Sequence, residues 1–100
     1  MRRKMTIETA HHRQTVLIID DDPLVVDILG TVFDGDLRIL TAHSGREGIN
    51  LAVTENPDLI LLDVRMPDMD GYETCRRLKS MAETADIPLI FLTARIETED

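Results

Sequence analysis

Short, continuous apolar runs alternate along the chain with segments whose apolar residues recur at helical spacing. The runs at 16–19 and 58–63 have the composition of strands that are buried on both faces. The run at 37–42 is more polar, which favours a place nearer the edge of a sheet, and the run at 87–92 supplies a fourth strand. The connections between the runs are too long for hairpins. This order predicts an α/β fold with parallel strands and helices on both faces of the sheet.

Capping residues mark where the intervening helices begin. Pro23 suits the first turn of a helix over about 23–33. Ser44 and Asp70 are each followed three residues later by Glu, and this pattern predicts the starts of a second and a third helix, the third running to about Met81. The residues predicted to face inward are Ile49, Ala52 and Val53 on the second helix and Tyr72, Cys75 and Leu78 on the third.

Composition and charge narrow the class of protein. The 100 residues, 43% of them apolar and 30% charged, are typical of one globular domain, and we expect a flexible basic tail at 1–14 and the domain at 15–100. The 11 basic and 19 acidic residues give a net charge of -8, which argues against direct binding to nucleic acid or to an anionic membrane. The single cysteine, Cys75, excludes an internal disulfide and a multi-cysteine zinc site, and it favours a reducing, cytoplasmic compartment.

Acidic and hydroxyl residues follow three of the predicted strands. Asp20, Asp21 and Asp22 come after the first strand, Asp63 ends the third, and Thr93 follows the fourth. Because sites in open parallel sheets lie beyond the carboxyl ends of the strands, we expect several of these side chains to converge. A cluster of carboxylates repels itself unless a cation neutralises it, and oxygen ligands suit Mg²⁺ above all. Each acid alone could instead cap a helix, but three adjacent acids exceed what one cap requires.

Three segments resemble the signature segments of response-regulator receiver domains from two-component signalling. They are VLIIDDDP, PDLILLDVRMPDMDG and IPLIFLTA, and their order and spacing match over residues 15–100. The middle segment is the most specific, because an apolar strand that ends in Asp is followed by Met-Pro and then by Asp-Gly. The resemblance implies a flavodoxin-like (CheY-like) three-layer fold around a parallel sheet.

The resemblance also implies roles for individual residues at a Mg²⁺ site. Asp63 matches the phosphoacceptor, Asp21 a direct metal ligand, and Asp20 a residue that holds a metal-bound water. Arg65 matches the position whose backbone carbonyl completes the metal site. Asp22 is expected to have a lesser role, as the cap of the helix that follows.

Two further matched residues belong to the switch that this family uses. Thr93 matches the hydroxyl that hydrogen-bonds the phosphoryl oxygen, and Ala94 matches the small residue that leaves the site open. The expected phosphoryl donor is a phosphohistidine on a sensor histidine kinase, and the expected receiver of the signal is a downstream output protein or domain on another chain. The resemblance thus implies a signalling domain that assists only its own phosphorylation and dephosphorylation, rather than an enzyme.

The chain departs from the family pattern at its C-terminal end. Four strands can be placed before Asp100, which predicts the strand order 2-1-3-4 with the fifth strand missing and with it the family's lysine and aromatic switch residue. Lys4 and Lys79 do not match that lysine by position. The edge of the strand at 87–92 would then be exposed, which predicts a homodimer or swapped assembly through the fourth strand or helix. The chain could instead be a fragment of a longer receiver.

Two other functions stay open at this point. A degenerate receiver would bind partners without switching, because the family's lysine is absent. A Mg²⁺-dependent phosphohydrolase would also use a strand-end Asp nucleophile, but it needs a second acid two residues later, where Arg65 stands. The hydrolase therefore ranks last.

Overall fold

Strands and helices alternate regularly through the part of the chain that the computed structural model describes, which is residues 14–32, 35 and 37–92. Their bounds are β1 Thr15–Ile19, α1 Pro23–Val32, β2 Arg38–Ala42, α2 Gly45–Glu55, β3 Leu59–Asp63, α3 Gly71–Lys79 and β4 Leu89–Leu92. The predicted tail (all but Gln14), Thr93, Ala94 and any helix that follows them lie outside the described residues.

The four strands form one parallel sheet in the order β2-β1-β3-β4. In the register, Ile19 pairs with Ala42 on one side and with Leu62 on the other, and Asp63 pairs with Leu92. The carboxyl ends of the strands therefore meet at one edge. The predicted order 2-1-3-4 is confirmed, and so is the placement of the polar strand β2 at the side of the sheet.

Apolar side chains on the two faces of the sheet form two separate core clusters. On one face, β1 and β3 pack against α2 and α3, and the fully buried members of this cluster are Leu17, Ile19, Ala42, Ala52, Ile60, Leu62 and Leu78. On the other face, the buried members are Val16, Ile18, Leu61 and, from α1, Val26. Helices thus cover both faces, which confirms the three-layer architecture.

Small residues, rather than large apolar ones, bring α2 close to the sheet. Its buried residues are Gly45, Gly48 and Ala52, and a Cβ atom at Gly48 would lie 2.8 Å from Ile19 Cγ1. The prediction that Val53 faces inward is wrong, because 40% of its surface is exposed. Ala52 occupies the predicted inner face, and the close approach that the glycines permit leaves Val53 on the flank of the helix.

The third helix shows the same pattern. Gly71, Thr74 and Leu78 are its buried residues, whereas Tyr72, which was predicted to face inward, is 56% exposed. Its ring packs instead against Phe91 of β4, with the ring centroids 5.3 Å apart. The helix also ends at Lys79 rather than at Met81, and β4 begins at Leu89 rather than at 87, because residues 80–88 form turns.

Candidate functional site

Three aspartates from two neighbouring strands meet at the carboxyl edge of the sheet. Asp20 and Asp21 follow β1, and Asp63 is the last residue of β3. One carboxylate oxygen of each residue lies within 4.8 Å of the others, with Asp20 and Asp63 buried and Asp21 exposed. The adjacent pairing of β1 with β3 causes this convergence, which the sequence predicted. An acidic group this compact, with one member open to solvent, could hold a small cation.

Asp20 is held tightly and in an unfavourable electrostatic position. Its backbone N–H donates to the Ala42 carbonyl at 3.0 Å, and its Oδ1 accepts a hydrogen bond from the Asp22 N–H at 2.9 Å. Burial raises the pKa of the Asp20 carboxyl above its ordinary value. The hydrogen bond to Asp22 opposes this shift, and the neighbouring acids, Asp63 first, add to it. The site therefore disfavours its own full ionisation unless a positive charge is nearby.

Asp63 presents an unsatisfied oxygen inside the same cluster. Its Oδ2 is buried, and no hydrogen-bond partner for it is found within the described part of the chain. Leaving a buried carboxylate oxygen without a partner costs free energy, so native sites of this kind have a functional reason. This oxygen is therefore a candidate ligand atom for a cation.

Of the aspartates that follow the strands, one acts only as a helix cap. Asp22 Oδ1 accepts from the Leu24 N–H at 2.9 Å, so Asp22 caps α1 as predicted. Asp63, in contrast, is separated from α3 by a loop, and the side chain of Asp70 caps that helix by accepting from the Glu73 N–H at 2.9 Å. Capping therefore does not explain Asp63.

The loop after β3 is folded back tightly onto the strand. The Gly71 N–H donates to the Val64 carbonyl at 2.8 Å, and Asp68 adopts a left-handed conformation with φ 68°. A Cβ atom on Gly71 would lie 2.8 Å from Val64 Cα and still closer to the Asp63 carbonyl oxygen, so only glycine fits without movement. In the sequence, Gly71 stands out because the first residue of a helix does not need to be glycine. Its close contact with the backbone of Asp63 could not be predicted from the sequence.

Arg65 lies in this loop, two residues after Asp63, with an exposed side chain. It borders a cavity of about 400 Å³ that the loop forms with the first turn of α3. The other residues that line the cavity are Val64, Met66, Pro67, Asp70 and Tyr72. The cavity gives access to the loop from solvent.

The remaining residues from the sequence analysis are Thr93, Ala94 and Lys79. Thr93 and Ala94 lie outside the described residues, so their roles stay predictions. Lys79 donates from Nζ to the carbonyls of Ala85 at 3.0 Å and Ile87 at 2.7 Å. Its amine therefore stabilises the turn before β4, in agreement with the prediction that this lysine does not serve the acidic site.

Comparison with known proteins identifies the family to which this chain is similar. The model of the response regulator receiver domain family matches residues 16–100. The DNA-binding dual master transcriptional regulator RpaA of Synechocystis is 41% identical over 86 residues, which cover 85% of this chain and 36% of that protein. The chain spans about a third of the length of the curated relatives it matches.

Solved structures give the same result. The N-terminal domain of a response regulator receiver protein from Methanoculleus marisnigri superposes with a TM-score of 0.79 at 44% identity, over 84% of this chain and 69% of that one. The chemotaxis protein CheY4 of Vibrio cholerae gives a TM-score of 0.79 at 28% identity, over 86% of this chain and 72% of that one. Among the described residues, none of the helices has the length and apolar character that crossing a membrane requires. The sheet order, the signature segments and these matches agree, and the chain belongs to the response regulator receiver domain family of two-component phosphorelay signalling.

Proposed function

We propose that Asp63 accepts a phosphoryl group from a phosphohistidine of a partner sensor histidine kinase. In this step an Asp63 carboxylate oxygen forms a bond to phosphorus, the bond between phosphorus and the imidazole nitrogen breaks, and the nitrogen keeps the electron pair. The observation that carries the proposal is the buried Oδ2 of Asp63, which has no partner within the described residues and faces two further aspartates. A bound cation or phosphoryl group would supply the partner that this buried oxygen lacks at rest.

The acidic cluster fits a Mg²⁺ ion in this proposal. Asp21 and Asp63 would be direct ligands, Asp20 would hold a metal-bound water, and the backbone carbonyl of Arg65 would complete the set. Oxygen-only donors and the raised pKa of Asp20 both support a hard divalent cation at this place. When bound, Mg²⁺ supplies the positive charge that offsets the repulsion between the carboxylates and the incoming phosphoryl oxygens.

The chain's own residues position the acceptor. The pairing of Asp63 with Leu92 fixes the end of β3, and the contact between Gly71 and the Asp63 carbonyl holds the following loop against it. By resemblance, the Thr93 hydroxyl would hydrogen-bond the phosphoryl group, and Ala94 would leave room for it. The new negative charge would then favour a conformation that an output partner recognises.

The wider role follows the relatives. Residues 15–100 would be the receiver and 1–14 a basic tail, with the output provided by a protein or domain on another chain. The longer relative RpaA, a transcriptional regulator, supports a regulatory output. The net charge of -8 supports an output that does not depend on nucleic-acid binding by the receiver itself. The hydrolase alternative is not favoured, because Arg65 stands where a general acid is needed.

Self-association through β4 is a finer proposal about partners. The strand lies at one side of the sheet, no strand within the described residues pairs with its outer edge, and Ile90 is 53% exposed. Size-exclusion chromatography with light scattering tests it, and a monomer across the concentration range would refute it.

Phosphorylation is tested by incubating the protein with Mg²⁺ and acetyl phosphate and measuring the intact mass. We expect one phosphoryl adduct that is absent without Mg²⁺ and absent in Asp63→Ala. Asp68→Asn is the matched control, because Asp68 lies in the same loop but outside the acidic cluster and asparagine tolerates its positive φ. This variant should be labelled normally.

Failure of the wild-type protein to form the adduct would refute phosphoacceptance and leave the degenerate receiver. Steady turnover of unrelated phosphoesters would instead support the hydrolase. An adduct that persists in Asp63→Ala would place the acceptor on another residue.

A further inference from the structure

A second, smaller cavity lies between α2 and α3. It measures about 220 Å³ and is lined by residues that play no part in the acidic cluster. These residues are Arg46, Ile49, Asn50, Met69 and Arg77. The volume is below the roughly 300–1,000 Å³ of ordinary small-molecule sites, so it suits one or two side chains rather than a cofactor.

The cavity walls carry positive charge in a strongly acidic protein. Arg46 is exposed in the first turn of α2, and it has no hydrogen-bond or ion-pair partner among the residues that the structure describes. Its neighbour Glu47 keeps its negative charge but is held by a hydrogen bond from the His43 N–H at 2.8 Å rather than by Arg46. The Arg46 guanidinium therefore faces the cavity region with its charge uncompensated.

The second guanidinium is only partly compensated. Arg77 Nε donates to Glu73 Oε2 at 2.9 Å, and Arg76 pairs with the other oxygen of the same carboxylate. One negative charge is thus shared between two positive ones. With Arg46 the three arginines outnumber the two nearby carboxylates, Glu73 and Glu47, so this part of the surface keeps a net positive charge that favours an anionic group.

The rest of the lining is apolar with one amide. Ile49 is half-buried and supplies most of the apolar surface, since Met69, which also lines the cavity, is only 5% exposed, while Asn50 offers an exposed amide. A free inorganic anion gains nothing from apolar contacts, whereas a peptide with alternating acidic and apolar residues would use both. The Asn50 amide could in addition hydrogen-bond a peptide backbone.

We propose that this cavity is a docking site for an acidic segment of a partner protein. A carboxylate of the segment pairs with Arg46 and Arg77. An adjacent apolar side chain of the segment packs on Ile49 and Met69. The site is separate from phosphorylation at Asp63, and its occupancy can be tested without phosphoryl transfer.

The arginine pair on α3 provides a matched set of variants. Arg76 and Arg77 both lie in the last turn of the helix and both pair with Glu73, but only Arg77 lines the cavity, whereas Arg76 borders a groove beside Phe91. Arg76→Ala therefore removes the same charge from the same helix without removing a residue that lines the cavity, and its only effect on the site is that Glu73 is left to pair with Arg77 alone. Arg46 and Arg77 are exposed, so the variants at these positions should fold.

The binding experiment follows the methyl NMR signals of Ile49 and Met69 during titration with a capped peptide of alternating Glu and Leu. We expect saturable shifts in the wild-type protein, binding weaker by about fivefold in Arg46→Ala and in Arg77→Ala, and a change below about twofold in Arg76→Ala. The double variant Arg46→Glu/Arg77→Glu should instead bind a peptide of alternating Lys and Leu.

Several results would overturn the proposal. These are no saturable shift, equal shifts with a Gln–Leu peptide, or equal weakening in Arg76→Ala and Arg77→Ala. If inorganic phosphate alone produced the same shifts and displaced the peptide completely, the site would be one for free anions and the proposed partner would be wrong.

Discussion

Replacing Gly71 with alanine tests how closely the first turn of α3 must approach the end of β3. The added Cβ would lie 2.8 Å from Val64 Cα, 3.0 Å from the Asp63 carbonyl carbon and closer still to its oxygen. All three are backbone atoms, so no side chain can rotate away to make room. Relief of the clash requires that either the start of α3 or the end of β3 moves, which also strains the 2.8 Å hydrogen bond from the Gly71 N–H to the Val64 carbonyl.

The magnitude follows from two opposing effects. Overpacking of a close backbone contact costs about 1–3 kcal/mol. Alanine restricts the unfolded chain more than glycine does, which returns about 0.4–1 kcal/mol. The difference spans about 0–2.6 kcal/mol, and from its midpoint we expect Gly71→Ala to lower the free energy of unfolding by about 1.3 kcal/mol, which corresponds to a fall in Tm of about 5–10 °C for a domain of this size.

Gly30→Ala provides the matched control for this substitution. Gly30 lies inside α1, and among the described residues an added Cβ would meet no atom within 4 Å other than the backbone of its own helix turn. Alanine there should raise the stability by about 0.5–1 kcal/mol through helix propensity alone. Thermal and urea unfolding, each with and without Mg²⁺, measure both variants. If Gly71→Ala proved as stable as wild type with an undiminished response to Mg²⁺, the inferred role of the close contact would be refuted.

Three further substitutions test the site and its supports. Asp20→Asn removes one buried carboxylate from the repelling cluster and should stabilise the metal-free protein by about 1 kcal/mol. Because the folded-state pKa of Asp20 is raised, the metal-free wild-type protein should gain stability as the pH falls through that pKa toward the unfolded value, and pH-dependent unfolding curves of the variant should lack this gain. Ser44→Ala removes the side chain that accepts from the Glu47 N–H at 3.1 Å and should cost about 1 kcal/mol in urea unfolding, whereas Thr54→Ala, on the exposed side of the same helix, should cost less. Lys79→Met keeps the aliphatic stem but loses both hydrogen bonds to the turn before β4; a cost of about 1–2 kcal/mol is expected, and unchanged thermal stability would contradict it.

Much of the architecture could be predicted because the determinants were local. The apolar runs marked the central strands, and the Ser44 and Asp70 caps marked helix starts that the structure reproduces to the residue. Once the order of strands and helices was known, the convergence of Asp20, Asp21 and Asp63 followed from a general property of parallel sheets. The acidic site could therefore be predicted from the order of the strands and helices.

The helix faces could not be predicted as well, because the apolar pattern ignores glycine. On α2, Gly48 meets Ile19 of the sheet, whereas Gly45 meets Thr74 of α3 and Met69, and the value of both glycines lies in the absence of a side chain. A periodicity that counts only large apolar residues places Val53 and Tyr72 on the inner faces instead. Close approach is a pairwise property of two elements, and it becomes visible only when both are in place.

The carboxylates of the acidic site repel one another, so the binding of a cation and the stability of the metal-free fold can change in opposite directions. Asp20 and Asp63 are buried beside each other, and Asp63 Oδ2 has no hydrogen-bond partner within the described residues, so the site lowers the stability of the metal-free protein. Gly71 lets the surrounding backbone pack closely enough to hold the site. Asp20→Asn and Gly71→Ala should consequently change stability in opposite directions and yet both reduce the stabilisation gained from Mg²⁺. If the stabilisation by Mg²⁺ simply followed the stability of the metal-free protein, the two variants would change it in opposite directions, as they change Tm. If both variants lose the stabilisation by Mg²⁺ while their Tm values change in opposite directions, the cluster is a cation-binding site. The close packing around Gly71 then preserves the geometry of that site rather than the stability of the fold.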